Sequence, residues 1–194
     1  MDKETNYPTP FEKDALLRLA RNSINSLFTG IKTIDNTVYN EWLSSNRGAF
    51  VSIHTQTGEL RGCLGRFISD IPLFMLVKEL AVSAARNDYR FPPVKEVELG
   101  NLIIEISVLS PLRRIHSISE IERGIHGIYI KRGKNTGTFL PQVILETNWD
   151  IETFVSRCSG DKAGIGPDGW KSAELYVYTA DVFRENYLNI GIAH

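Results

Sequence analysis

The chain has 194 residues, 42% hydrophobic and 23% charged, enough apolar material for one globular domain or a closely packed pair and enough charge to solvate its surface. Its 22 basic and 23 acidic residues leave a net charge of −1, without the basic excess expected of a nucleic-acid binder, so nucleic acid is disfavoured as a partner. No apolar run approaches the roughly 20 residues that span a bilayer, and residues 1–10 lack the basic-then-apolar order of a secretion signal, so the expected compartment is the cytoplasm, with no membrane partner.

Residues 11–28 carry Leu16, Leu17, Ala20, Ile24, Leu27 and Phe28 at three- and four-residue steps, the period of an amphipathic helix, with Gly30 as its stop. From residue 49 the period changes. Ala49-Phe50-Val51-Ser52-Ile53-His54-Thr55 and Leu60-Arg61-Gly62-Cys63-Leu64 are short apolar runs around Gln56-Thr57-Gly58-Glu59, which predicts a β-hairpin. Asp70 before Pro72 predicts an N-cap; Leu73, Leu76, Val77, Leu80, Ala81 and Ala84 then share a helical face, and Asn87-Asp88 with Pro92-Pro93 end the helix. Residues 102–109, rich in β-branched side chains between Gly100 and Pro111, predict a central strand. Ile128-Tyr129-Ile130-Lys131 and Thr138-Phe139-Leu140 flank Gly133-Lys134-Asn135-Thr136-Gly137, a second hairpin by its turn chemistry. A helix over residues 150–158 and a last strand over residues 174–183 complete an α+β pattern with a largely antiparallel sheet.

Alternate side chains of a strand share a face, so Arg61 and Cys63 are expected to point the same way about 7 Å apart, away from Leu60, Gly62 and Leu64. If the loop is residues 56–59, Thr55 pairs with Leu60, which sets His54 opposite Arg61 and Ser52 opposite Cys63. A cationic neighbour raises the thiolate fraction of a cysteine, so Cys63 beside Arg61, with His54 in reach, has the ingredients of a nucleophile; a free cysteine is equally at home as a small buried hydrophobe. Glu105, on the central strand, needs a partner, either Arg61 or Arg90, and a structural ion pair is the expected outcome. His126 lies in Gly124-Ile125-His126-Gly127, where a structural role in the turn is expected and acid/base catalysis is the alternative. Lys134 is not at Walker spacing, and residues 159–164, which include Lys162, read as a solvated glycine-rich loop. Cys63 and Cys158 form no disulfide framework, and His54, His116 and His126 lack the close Cys/His pairs of a zinc site, so neither a metal nor a cofactor is expected.

Five segments, in order, resemble the AMMECR-type family, also called AmmeMemoRadiSam system protein A: Leu60-Arg61-Gly62-Cys63-Leu64-Gly65, Asp88-Tyr89-Arg90-Phe91-Pro92-Pro93, Glu105-Ile106-Ser107-Val108-Leu109, Gly124-Ile125-His126-Gly127-Ile128, and Thr138-Phe139-Leu140-Pro141-Gln142-Val143 with Trp149-Asp150. The resemblance implies a single AMMECR-type domain over residues 1–194, with its core at about 11–185. It also implies an α+β fold of two intimately packed subdomains with a curved, barrel-like antiparallel sheet, and association with Memo-type and radical S-adenosylmethionine proteins. It carries the family's Arg-Gly-Cys motif onto Arg61, Gly62 and Cys63, and its His-Gly motif onto His126 and Gly127.

The first functional expectation is a binding or accessory component, because a cofactor motif is missing: a cleft of Arg61, Gly62, His54, Glu105 and Arg90 holds a partner's segment or a small anionic ligand while Cys63 stays inert. The second is a thiol-dependent enzyme with Cys63 as nucleophile, Arg61 as clamp or thiolate stabiliser, and His126 or His54 as acid/base. Nucleic-acid binding through Arg61, Arg66, Arg86 and Arg90 is the weakest, for want of electrostatic drive.

Overall fold

A computed structural model describes residues 7–30 and 39–186 of the chain; the first six residues of the segment read for a secretion signal, and both ends of the 1–194 span, lie outside the described residues. Thr9 and Pro10 open the first helix, α1 (Pro10–Thr29), where the Glu12 carboxylate accepts from both the backbone N–H and the hydroxyl of Thr9. Gly30 ends it in the left-handed region at φ 64°, as its position after the apolar run predicts. Of the expected apolar stripe, Leu16, Ala20 and Ile24 are buried, and Leu17, Leu27 and Phe28 are partly buried against the same core.

A one-turn helix, α2 (Glu41–Ser44), leads into the predicted hairpin, β1 (Ala49–Thr55) and β2 (Leu60–Arg66). The next helix, α3 (Leu73–Arg86), buries all six residues assigned to its inner face. Asp70 does not cap it. Pro72 holds the cap position, Ser69 organises the turn by bonding both the N–H and the C=O of Ile71, and the Leu73 N–H donates to Ser45 O at 3.0 Å. A carbonyl from another element therefore replaces the side-chain oxygen that the sequence supplied.

After a 3-10 segment (Glu96–Asn101) come β3 (Leu102–Leu109) and a short β4 (Arg113–Ile115), then the second hairpin, β5 (Gly127–Arg132) and β6 (Asn135–Phe139). Its turn is tighter than the five-residue loop expected: Arg132 already pairs with Asn135, and Gly133 takes φ 62°. Helices α4 (Val143–Glu146) and α5 (Ile151–Arg157) follow, the latter capped by the Asp150 carboxylate at 2.7 Å from the Thr153 N–H. Residues expected to form a solvated loop instead continue α5 as a π-helical turn (Cys158–Lys162), where buried Ser159 donates to Gly166 O at 2.6 Å. The expected final strand is two strands, β7 (Glu174–Tyr178) and β8 (Ala180–Arg184), in different sheets. The break falls at Thr179, whose N–H and C=O bond the hydroxyl and N–H of Ser110.

The chain divides into two compact units, residues 1–108 with 181–194, and residues 109–180. The first holds the sheet β2-β1-β3-β8 and the second holds β4-β7-β5-β6. Both sheets are antiparallel, as expected, but the end strands of each do not pair with one another, so neither closes into the barrel that the resemblance implied. In the first unit Val51, Ile53, Ile104 and Ile106 pack with α1 and α3, and β3 is an interior strand as its composition required. In the second, Ile128, Ile130 and Val177 pack with Phe139, Phe154 and Cys158. Each fully buried aliphatic side chain contributes about 1.5–3 kcal/mol. No helix among the described residues is long and apolar enough to cross a membrane.

Candidate functional site

The hairpin that carries Cys63 closes one residue earlier than expected. The Thr55 N–H bonds Glu59 O at 2.8 Å and Gly58 sits at φ 90°, which leaves a three-residue loop. Ser52 still faces Cys63, and Val51 faces Leu64, but the register shifts between Ile53 and His54: Ile53 pairs with Gly62 and His54 with Leu60. Arg61 is the extra residue of a β-bulge and does not stand opposite His54. Gly62, expected in the cleft, is turned to the helix side, where a Cβ would lie 2.3 Å from Ala84 O. Only glycine lets α3 approach β2 this closely.

On the opposite face, β1 sets Ser52 between Cys63 of β2 and Glu105 of β3. The three form one cross-strand row, with His54 two residues along β1. Cys63 is half-buried, and its Sγ accepts the Ser52 hydroxyl at 3.2 Å. Glu105 finds neither of its expected partners, Arg61 or Arg90. Its neighbour is His54, with Nε2 3.8 Å from Oε1, beyond hydrogen-bond distance, and that nitrogen is shielded from solvent without another hydrogen bond among the described residues.

Both arginines are bound elsewhere. Arg61 grips Glu98 through Nε at 2.7 Å and Nη2 at 3.1 Å, and donates to Pro92 O at 2.7 Å and Pro93 O at 3.2 Å. The Arg61 guanidinium holds the Glu98 carboxyl below its ordinary range, against the opposing effect of burial. Arg90 makes a two-point pair with Asp88, at 2.9 and 2.7 Å, and also donates to Cys63 O at 3.1 Å. Asp88, only 4% exposed, accepts the Cys63 N–H at 2.8 Å. The Arg90 bond, reinforced by that N–H, holds the Asp88 carboxyl far below its ordinary 3.8 although burial opposes it. The outward N–H and C=O of Cys63 on edge strand β2 are thus met by one salt-bridged pair of side chains instead of a neighbouring strand.

Asp88 and Glu98 were not among the expected site residues. The signal for Asp88 was the Asp-x-Arg spacing in Asp88-Tyr89-Arg90, which puts a carboxylate and a guanidinium on one tight turn. No comparable local signal ties Glu98 to Arg61, 37 residues away.

His126 belongs to the second unit. Its N–H bonds Glu122 O at 2.9 Å, and its Nδ1 accepts the Glu122 N–H at 3.0 Å, so the neutral ring carries its proton on Nε2. The Gly127 beside it is obligatory for packing, because a Cβ there would lie 2.4 Å from the Tyr178 ring on β7. Lys162 sits with its ammonium 5.6 Å from the centre of the Phe139 ring. Among the described residues no group of three or more His, Cys, Asp or Glu side chains is placed to hold a metal ion.

The AMMECR1 family profile matches residues 17–183. The chain is 39% identical over 184 residues to protein MK0488 of Methanopyrus kandleri, covering 90% of this chain and 88% of that one. This chain belongs to the AMMECR1 family. It is also 35% identical over 178 residues to protein MJ0810 of Methanocaldococcus jannaschii, covering 87% of this chain and 88% of the other. The crystal structure of the uncharacterized protein PH0010 from Pyrococcus horikoshii superposes with a TM-score of 0.77 at 34% identity, over 94% of this chain and 95% of that one. In this AMMECR1 chain the Arg-Gly-Cys segment divides its labour: Arg61 ties down residues 92–98, Gly62 admits the helix, and Cys63 alone faces the polar row.

Proposed function

We propose that this AMMECR1 chain is a binding or accessory component that acts with Memo-type and radical S-adenosylmethionine proteins through the face of Cys63, Ser52, Glu105 and His54. The observation that carries the reading is the neutralisation of both neighbouring guanidiniums, Arg61 by Glu98 and Arg90 by Asp88. Paired in this way they brace the site and hold no free charge for a small anion. The sulfur's hydrogen-bond partner is a hydroxyl and not a base, and the imidazole lies beside a carboxylate, so no nucleophile–base contact is made. What remains is a preorganised polar strip on a rigid sheet, suited to receiving a partner's donor groups at Glu105.

The test is co-purification of the chain with Memo-type and radical S-adenosylmethionine proteins from the same genome, with thermal melting as the check on folding. Cys63→Ser is expected to keep the association, and Glu105→Gln to weaken it about tenfold, the loss expected for one charge-assisted contact. Unchanged association of the Glu105 variant, or its loss on Cys63→Ser, would sink the proposal.

A thiol-dependent enzyme is the second reading, and one observation favours it. The Ser52 hydroxyl donates to a half-exposed sulfur, which leaves that sulfur oriented and within reach of a substrate, as a nucleophile must be.

A further inference from the structure

The second unit contains a hollow of about 340 Å³ at the end of β4 and the start of β7, far larger than a water molecule and of the size that takes a small organic ligand. Arg114, His116, Ser117, Trp170, Lys171 and Glu174 supply its polar lining, and the Ser117 hydroxyl is already engaged by Ser119. Its floor is aliphatic, with Ile115 and Leu175 nearly buried.

The hydrogen-bonding capacity of that wall is lopsided. The Arg114 side chain is exposed and, among the described residues, makes no hydrogen bond or close ion pair, though its charge acts on the Glu174 carboxylate at longer range, in contrast to Arg61 and Arg90, whose guanidiniums are occupied. The His116 ring makes none either; only its backbone N–H is engaged, by Glu120 at 2.8 Å. The Trp170 indole N–H is shielded from solvent and, among the described residues, has no partner, a donor left unsatisfied beside the hollow. Lys171 is held at the rim by Asp168 at 2.7 Å. The one carboxylate in the lining, Glu174, is turned to the Tyr176 hydroxyl at 2.6 Å. Donors therefore outnumber free acceptors, and a guanidinium with its fork open is the strongest among them.

We infer that this hollow binds a small organic oxyanion, a phosphate or carboxylate group carried on an apolar body. Arg114 takes the charged oxygens, His116 adds a donor, and the body lies on Ile115, Leu175 and the Trp170 ring. Glu174 opposes the ligand's charge and sets the affinity from the other side.

Phenyl phosphate, benzoate and inorganic phosphate are the probes, titrated into the full chain by calorimetry and followed at the Trp170 indole N–H by heteronuclear NMR. An aryl probe is expected to bind more tightly than inorganic phosphate, because only it has a body to lay on the apolar floor. Arg114→Gln should weaken the aryl probe about tenfold or more, and Glu174→Gln, which keeps an acceptor for Tyr176, should tighten it severalfold. Both side chains lie at the surface of the unit, and retained spectral dispersion confirms folding of each variant. Tighter phenyl phosphate assigns a phosphate ligand and tighter benzoate a carboxylate ligand. Absence of aryl binding up to roughly 10 mM, the weak limit of specific recognition, would overturn the inference, as would an affinity indifferent to both substitutions.

Discussion

Each unit of the chain carries one cysteine, and the two are treated in opposite ways. Cys63 stands half-exposed on a strand, its sulfur bonded by a hydroxyl and its backbone held by the Asp88–Arg90 pair. Cys158 is fully buried at the end of α5 among Phe154, Val155 and their neighbours, and burial pushes its thiol up to about 12. Nearby Lys162 only partly offsets that burial. Residue type says nothing of this difference; strand register exposes one sulfur and helix packing hides the other.

The largest expected contrast is in chemical access. Iodoacetamide should modify Cys63 in the folded chain, whereas Cys158 must wait for an opening of the second core, so the rates should differ by about a thousandfold or more. Peptide mass spectrometry after timed quenching reads both sites in one sample. Equal rates would end the comparison. A Cys63 rate that stays fast well below pH 8.5, the ordinary value for a free cysteine, would favour the enzyme reading over the accessory one.

Next in size is the fit of α3 against β2. Gly62→Ala places a methyl 2.3 Å from Ala84 O, a backbone atom that cannot rotate away. Overpacking of this kind costs about 1–3 kcal/mol, and urea unfolding followed by circular dichroism should show a loss of that order. A neutral substitution would mean that the helix does not lie where the Cys63 face requires it.

The elements behind these contrasts were unequally legible in the sequence. The stripe of α1, the inner face of α3 and the interior position of β3 follow from apolar period alone, because burial repeats at the spacing of the element. The pairing of Ser52 with Cys63 was legible for the same reason, since Val51 and Ile53 had to face the core. The bulge at Arg61 was not, because it depends on whether the turn closes at Glu59 or at Leu60, a choice made by hydrogen bonds that leave the hydrophobic pattern nearly unchanged. Nor were the ties of Arg61 to Pro92, Pro93 and Glu98, which join distant parts of the chain. The Thr179 break and the π-helical turn share that property: each rests on one side-chain-to-backbone closure, through Ser110 and Ser159, that no periodicity encodes.

The smallest effect tests the clamp behind Cys63. Asp88→Asn keeps an oxygen for the Cys63 N–H but removes the charge facing Arg90, whose side chain is 45% exposed while that of Asp88 is 2% exposed. Water screens one partner of this pair, so the expected loss at pH 7 is about 1–2 kcal/mol, less than for a fully buried pair. The folded pKa of Asp88 lies below its ordinary 3.8, so its contribution is present above that value and fades as the pH falls toward the folded one. Denaturation at a series of pH values should therefore show a constant gap between the native chain and the variant from pH 7 to about pH 5, narrowing below about pH 4. A gap that persists undiminished to pH 2.5 would mean that the lost stability comes from altered packing, and that Asp88 does not hold the Cys63 backbone through an ionised carboxylate.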